Sequence, residues 1–247
     1  LASRAKPDLV LVGEPSRNEV RRGHRGRVEL HLRVKGRMAH ASVPELGANP
    51  LLTLGAFLAA LPALSQPDDP ELRRATISPT LLRTDQTSAN VIPGEVCLTL
   101  DCRTVPGQDA ERVRELLLPL LRRSESPGTT GDIEIPSYAR QSWTGYEMTY
   151  PADNPAHALP SDHAAIRSAV AVLAEALGAA PPIDVWRFAT DGGHFAEQGL
   201  TVVGFGPGDD RLAHTIEERI PIRELERGVR GNAALARRWP VAYSALS

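Results

Sequence analysis

Aromatic residues make up only 4% of this 247-residue chain. That is too sparse for the stacking platforms that hold single-stranded nucleic acid. No sign of charge dominates: 28 Lys and Arg stand against 30 Asp and Glu, a net charge of -2. Such a balance argues against nucleic-acid and membrane partners. Long apolar runs are missing. The longest, Leu51 to Leu64, is too short to span a bilayer and fits a core helix. Cysteine is nearly absent. Cys97 and Cys102 lie in what reads as one strand, on opposite faces and about 17 Å apart at ~3.4 Å per residue, too far for a disulfide. Reduced thiols and a cytoplasmic setting are expected. A zinc site on the two cysteines is the sharper alternative, but no partner ligands lie nearby. No signal peptide is legible before the first strand.

What is present is ordinary for a soluble globular protein, 42% hydrophobic and 23% charged. The length suits one large domain or two smaller ones. Residues 8–12 form an apolar run, the pattern of a strand covered on both faces. Arg21 to Arg27 reads as a basic, glycine-punctuated link. From Val28 the period becomes two, as in a strand with one wet face. Asn49 and Pro50 open a helix whose expected buried stripe is Leu51, Leu54, Phe57, Leu58 and Leu61. Strands at 73–83 and 96–100, a helix at 109–123 and a strand around Ile133 and Ile135 follow. Strand–helix–strand–strand–helix–strand is the ferredoxin-like βαββαβ order.

Beyond it the composition shifts. Residues 139–160 read as a long irregular connection. Ser161 is the expected cap of a helix closed by Gly178. A strand at 183–186, a short helix at 191–198, a buried strand at 201–205 and a helix at 222–238 complete the chain. The expected organisation is an α/β catalytic domain made of residues 1–24 and 138–247, interrupted by an α+β insert at 25–137.

Ligands of open α/β sheets sit beyond the carboxyl ends of strands. Glu14 and His214 both follow such ends. A carboxylate and an imidazole suit zinc, although either alone reads as a turn or loop residue. His40 and Asn90 read alone as loop and turn residues. Arg103, at a strand end, could grip a carboxylate through two hydrogen bonds; it could equally be a solvated arginine. Gly204 to Gly208 lacks the spacing of a phosphate loop, and its glycines suit close backbone approach to a substrate.

Four segments carry a resemblance: Val12-Gly13-Glu14-Pro15-Ser16, Gly36 to Ser42 around His40, Ser88 to Pro93 around Asn90, and Ala213-His214-Thr215. Their order resembles the zinc-dependent amidohydrolase and peptidase family of acetylornithine deacetylase, succinyl-diaminopimelate desuccinylase, aminoacylase and glutamate carboxypeptidase. Arg21 to Arg27, Ser142 to Gly145 and Gly204 to Gly208 are most similar to the YgeY-like hydrolase subgroup.

The resemblance implies a mixed-sheet zinc-hydrolase catalytic domain and an inserted lid and dimerisation domain. It implies two zinc ions per complete subunit, with cobalt or manganese as alternatives. Glu14 would bind one metal and His214 the other. His40 would stabilise the oxyanion of the tetrahedral intermediate from across a homodimer, with Asn90 in the same neighbourhood. Arg103 would hold a free carboxylate of a small-molecule substrate. Thr190-Asp191-Gly192, Gly206 and Arg187 would line the substrate side. His24 departs from the basic residue that desuccinylases carry near this position, which argues against a succinyl substrate.

The family's first histidine, bridging aspartate and paired glutamates should precede Glu14, and thirteen residues cannot hold them. The chain resembles a fragment lacking the N-terminal half of the catalytic domain. The expected function is metal-dependent hydrolysis of an amide bond in a small N-acyl amino acid or peptide-like substrate, active only with the missing part. One alternative is a non-catalytic truncated relative that dimerises or binds amino acids. Another is a dipeptidase or aminopeptidase on the same scaffold.

Overall fold

Strand and helix positions come from a computed structural model that describes residues 7–246. The first six residues of the expected 1–24 segment, and residue 247, lie outside the described residues. In chain order the first elements are β1 (Leu9–Val12), β2 (Val20–His24), β3 (Gly26–Lys35), β4 (Ala39–His40) and α1 (Pro50–Ala60). Then come β5 (Thr76–Thr84), β6 (Val91–Ile92), β7 (Glu95–Thr104), α2 (Ala110–Ser124) and β8 (Thr130–Glu134). β9 (Ser137–Gln141), β10 (Glu147–Pro151), β11 (His157–Ala158) and α3 (Ala164–Leu177) follow. The last are β12 (Ile183–Trp186), α4 (Gly192–Glu197), β13 (Thr201–Gly204) and α5 (Ile222–Ser244).

These elements form two compact units. Among the described residues one holds 7–26, 69–73 and 154–246, the other 27–68 and 74–153. The second unit therefore ends at 153, beyond the composition shift at 137.

In the second unit the sheet order is β8-β3-β7-β5. Counted in sequence, that is 4-1-3-2 for a βαββαβ unit. β8 runs antiparallel to β3, and β5 to β7. The period of two decides which face is covered: Val28, Leu30, Leu32 and Val34 of β3 and Val96, Leu98 and Leu100 of β7 are buried. They pack with Leu54 and Phe57 of α1 and Val113, Leu117 and Leu121 of α2. Asn49 caps α1, its side chain accepting from the Leu51 amide at 3.0 Å. The expected stripe needs one correction: Leu51 is 38% exposed, and Thr53 turns inward instead. Cys97 and Cys102 are free thiols on alternate faces of β7. Burial pushes the Cys102 thiol up to about 12, so it is an inert core residue.

In the first unit the order is β1-β13-β2-β11, with β12 beside β2. β1 and β13 are parallel, from Leu9 opposite Thr201 to Val12 opposite Gly204. β1 lies at the sheet edge and all four of its residues are only half-buried, not covered on both faces. Arg21 to Arg27, expected as a link, instead supplies most of β2, whose five residues are all buried. The charges are matched within the unit: Arg21 pairs with Glu19 at 2.8 Å, and Arg22 pairs with Glu71 and donates to the Leu159 carbonyl at 2.9 Å. Val20, Val203 and Phe205 pack against Ile166, Ala169 and Leu173 of α3 and Leu235 and Trp239 of α5.

Three further expectations change. The cap of α3 is His163, whose side chain accepts from the Ala165 amide at 3.2 Å, rather than Ser161. The closing helix runs to Ser244. Residues 139–160 are not irregular throughout: β9 and β10 form an antiparallel hairpin from Ser137 opposite Pro151 to Gln141 opposite Glu147. Trp143 stands at its tip, 98% exposed. Among the described residues no helix is long and apolar enough to cross a membrane.

Candidate functional site

Glu14 stands two residues beyond β1, exposed, in a turn fastened to the segment that follows β13. The Arg17 amide donates to the Gly208 carbonyl at 2.7 Å, and the Asn18 amide to the Gly206 carbonyl at 2.8 Å. Arg17 and Asn18 both take left-handed φ of 57° to make these bonds. Ser16 Oγ accepts from the Gly206 amide at 3.0 Å, and Trp186 Nε1 donates to the Pro15 carbonyl at 2.7 Å. A Cβ on Gly206 would sit 2.5 Å from the Glu14 carbonyl oxygen and 2.7 Å from that of Gly13. The close backbone approach that glycine permits here is to the Glu14 turn. Two parallel neighbours thus carry Glu14 and the 205–220 loop beyond the same end of the sheet.

His214 lies on that loop, exposed, with a left-handed φ of 63°. Its amide donates to Glu218 Oε2 at 2.9 Å. A non-glycine residue in this region is sterically disfavoured and points to a locally over-determined turn. Asp209, upstream, is committed to Arg211, at 2.9 Å from its Nε. That hydrogen bond holds the Asp209 carboxyl down at about 2. Among the described residues no group of three or more His, Cys, Asp or Glu is arranged to hold a metal ion. The described residues therefore do not complete a zinc centre, which takes four ligands; Glu14 and His214 are an oxygen and a nitrogen donor.

Thr190-Asp191-Gly192 leads into α4. Thr190 is buried, its Oγ1 accepting from the Gly192 amide at 3.0 Å. Asp191 is exposed and its side chain makes no cap bond. Arg187 is exposed on the preceding segment.

In the second unit, β4 and β6 form a two-stranded ladder with His40 opposite Val91. This sets His40 Nε2 at 3.4 Å from Asn90 Nδ2, across fifty residues of sequence. The Ser42 amide donates to His40 Nδ1 at 3.2 Å. Ser42 Oγ also lies 2.7 Å from His40 Nδ1. The His40 ring and the Asn90 side-chain amide thus converge on one exposed point. Arg103, near the end of β7, donates from Nε to Asp101 Oδ1 at 2.7 Å, and Asp101 also accepts from Arg27 Nε at 2.8 Å. A groove of about 670 Å³ on the open sheet face is lined by Glu29, His31, Arg33, Glu95 and Tyr138 among others, but by none of the expected site residues.

Residues 22–128 match the model of the peptidase dimerisation domain of the M20 family. The uncharacterized protein YgeY of Escherichia coli K12 is 30% identical over 221 residues, 87% of this chain and 53% of that protein. The chain belongs to the M20 peptidase family. Acetylornithine deacetylase of Myxococcus xanthus is 30% identical over 236 residues, 92% of the chain and 56% of the enzyme. The fold is that of a tripeptidase from Staphylococcus aureus, with a TM-score of 0.72 at 16% identity, over 98% of this chain and 59% of that one. The chain spans about half the length of the curated relatives it matches.

One part of this M20 chain escaped sequence reasoning. His24, at the end of β2, and His157, on β11, are opposite one another in register, their rings 4.6 Å apart and nearly perpendicular. Both are buried, and burial pushes both imidazoles down, His157 to about 3. They are 133 positions apart with no motif between them, so no spacing signal could have joined them.

Proposed function

We propose that this chain is the portion of an M20 hydrolase that carries its oxyanion donors and two of its metal ligands. The reaction is hydrolysis of an amide bond in a small N-acyl amino acid or peptide-like substrate. The observation that carries the reading is the convergence of His40 Nε2 and the Asn90 side-chain amide at 3.4 Å. Preorganised donors of this kind stabilise the negative oxygen of a tetrahedral intermediate. In this reading His40 and Asn90 act on the substrate held by a second subunit, and Arg103 holds the free carboxylate. Its guanidinium is oriented for this by Asp101 through Nε. Glu14 and His214 supply a hard oxygen and an imidazole nitrogen, and the other donors come from residues outside this chain. Thr190-Asp191-Gly192, Gly206 and Arg187 form the substrate side.

The test uses the longer protein that contains this chain, assayed against N-acetyl, N-succinyl, N-formyl and N-carbamoyl amino acids and against dipeptides. Hydrolysis of an N-acyl amino acid that is lost on chelation supports the reading; cleavage of dipeptides alone assigns a dipeptidase instead. His214→Ala should remove both bound metal and turnover, and unchanged metal content would end its role as a ligand. His40→Ala should lower kcat by about 100- to 1,000-fold, as for other oxyanion donors. Mixing the His40 and His214 variants should restore activity if the histidine serves the partner subunit.

A second reading has its own support. The match of residues 22–128 to the peptidase dimerisation domain also fits a dimerising or amino-acid-binding module. Dimers of the longer protein without metal or turnover would establish it.

A further inference from the structure

We propose that His24 is a positioning residue that fixes the Thr190-Asp191-Gly192 loop through the backbone amide of Thr190. This rests on the reading of that loop as the substrate side.

The geometry is a relay of four hydrogen bonds. His24 Nδ1 lies 3.0 Å from the Arg25 carbonyl oxygen, which can only accept. The ring proton therefore sits on Nδ1, and Nε2 carries a lone pair. The Thr190 amide donates to that Nε2 at 3.3 Å. Thr190 Oγ1 in turn accepts from the Gly192 amide at 3.0 Å, in the turn where α4 begins. The Asp191 carbonyl then accepts from the His194 amide at 3.1 Å. A side chain on the central strand β2 thereby sets the backbone from which Asp191 projects.

The surroundings keep the ring in this tautomer. His24 has no solvent exposure. Its neighbours with titratable groups are His157 from β11, packed edge-on at 4.6 Å, and His194 from α4. Neither is an acid that would favour a charged ring. The loop has little room to shift. A Cβ on Gly193 would sit 2.0 Å from the Pro155 carbonyl oxygen and 3.4 Å from His24 Cε1. A Cβ on Gly192 would sit 3.0 Å from both Thr190 Oγ1 and His157 Nε2. Among the described residues His157 Nε2 itself has no hydrogen-bond partner, whereas His24 Nε2 accepts from the Thr190 amide.

Amide hydrogen exchange on the 247-residue chain tests this directly. His24→Ala should speed exchange at Thr190 about tenfold relative to the amides of Leu173 and Val203, the size of one net hydrogen bond. His24→Gln, which keeps an acceptor at the end of its side chain, should recover most of the protection. Unchanged Thr190 exchange in His24→Ala, or faster exchange at all three amides in equal proportion, overturns the proposal. Nitrogen-15 spectra of the unsubstituted chain remain decisive if the alanine variant does not fold. They should show His24 Nε2 without a proton, and a proton there overturns the proposal. The longer enzyme separates this from the substrate reading. A loosened Thr190 amide with unaltered KM upholds the positioning and removes the loop from the substrate side. An unmoved amide removes the positioning whatever KM does.

Discussion

His157 makes the fold sensitive to acid in a calculable way. The residue is only 7% exposed, its Nε2 has no hydrogen-bond partner among the described residues, and burial together with the neighbouring His24 pushes its pKa from 6.5 to about 3. In the unfolded chain the ring returns to its ordinary value near 6.5. As pH falls below that value, the unfolded state takes up a proton that the native state refuses, so stability falls with pH. The loss begins near 6.5 and levels off below about 3. At pH 5 the gap from the unfolded value is about 1.5 units, and at about 1.36 kcal/mol per unit the loss is about 2 kcal/mol. This figure is set by the unfolded value, because at pH 5 the native ring is neutral either way.

Urea unfolding at pH 8 and pH 5, followed by tryptophan fluorescence, measures it. Trp186 and Trp239 are buried in the same unit as His157, whereas Trp143 is already exposed and contributes little change. Unsubstituted protein should lose about 2 kcal/mol more than His157→Phe over this interval. Any steric cost of phenylalanine acts equally at both pH values and leaves the difference intact. His24 is pushed the same way by burial, so the variant retains part of the acid sensitivity. Equal losses in the two proteins would refute the reasoning, because they would mean that the native ring accepts its proton freely.

Gly204→Ala should destabilise the first unit by about 1–3 kcal/mol. The new Cβ would fall 2.0 Å from Trp186 Cη2, and an unchanged urea midpoint would show that the indole has room to yield. Trp186→Phe removes the 2.7 Å hydrogen bond to the Pro15 carbonyl. It should cost about 1–3 kcal/mol and quicken amide exchange at Arg17 and Asn18. Protected amides there would show that the Glu14 turn does not depend on the indole.

The second unit was legible because its pattern is simple. Strands with one face against helices alternate, and Val28 to Val34 and Val96 to Leu100 do so without interruption. Asn49 before Pro50 marks a helix start that needs no tertiary information. The misread segments share the opposite property. β2, with Arg21, Arg22 and His24, is polar in composition yet buried, and it becomes a strand because Glu19, Glu71 and the Leu159 carbonyl meet its charges. The β9–β10 hairpin is exposed along nearly all its length, so no burial period marks it. Leu51 was expected inward on helical spacing, but Thr53 holds that side through a 2.7 Å contact with Thr129 Oγ1.

From local order alone followed the βαββαβ unit, the Asn49-capped helix, and two motif residues placed after strand ends. These depend on neighbours within a few positions, where propensity and periodicity act. Convergence needed the folded chain. His40 meets Asn90 because a two-residue ladder sets His40 opposite Val91, the residue after Asn90, and His24 meets His157 and Thr190 because one sheet and one loop close on each other. Burial then sets the protonation of those imidazoles, since desolvation is a property of the surrounding packing and is not written in any single residue.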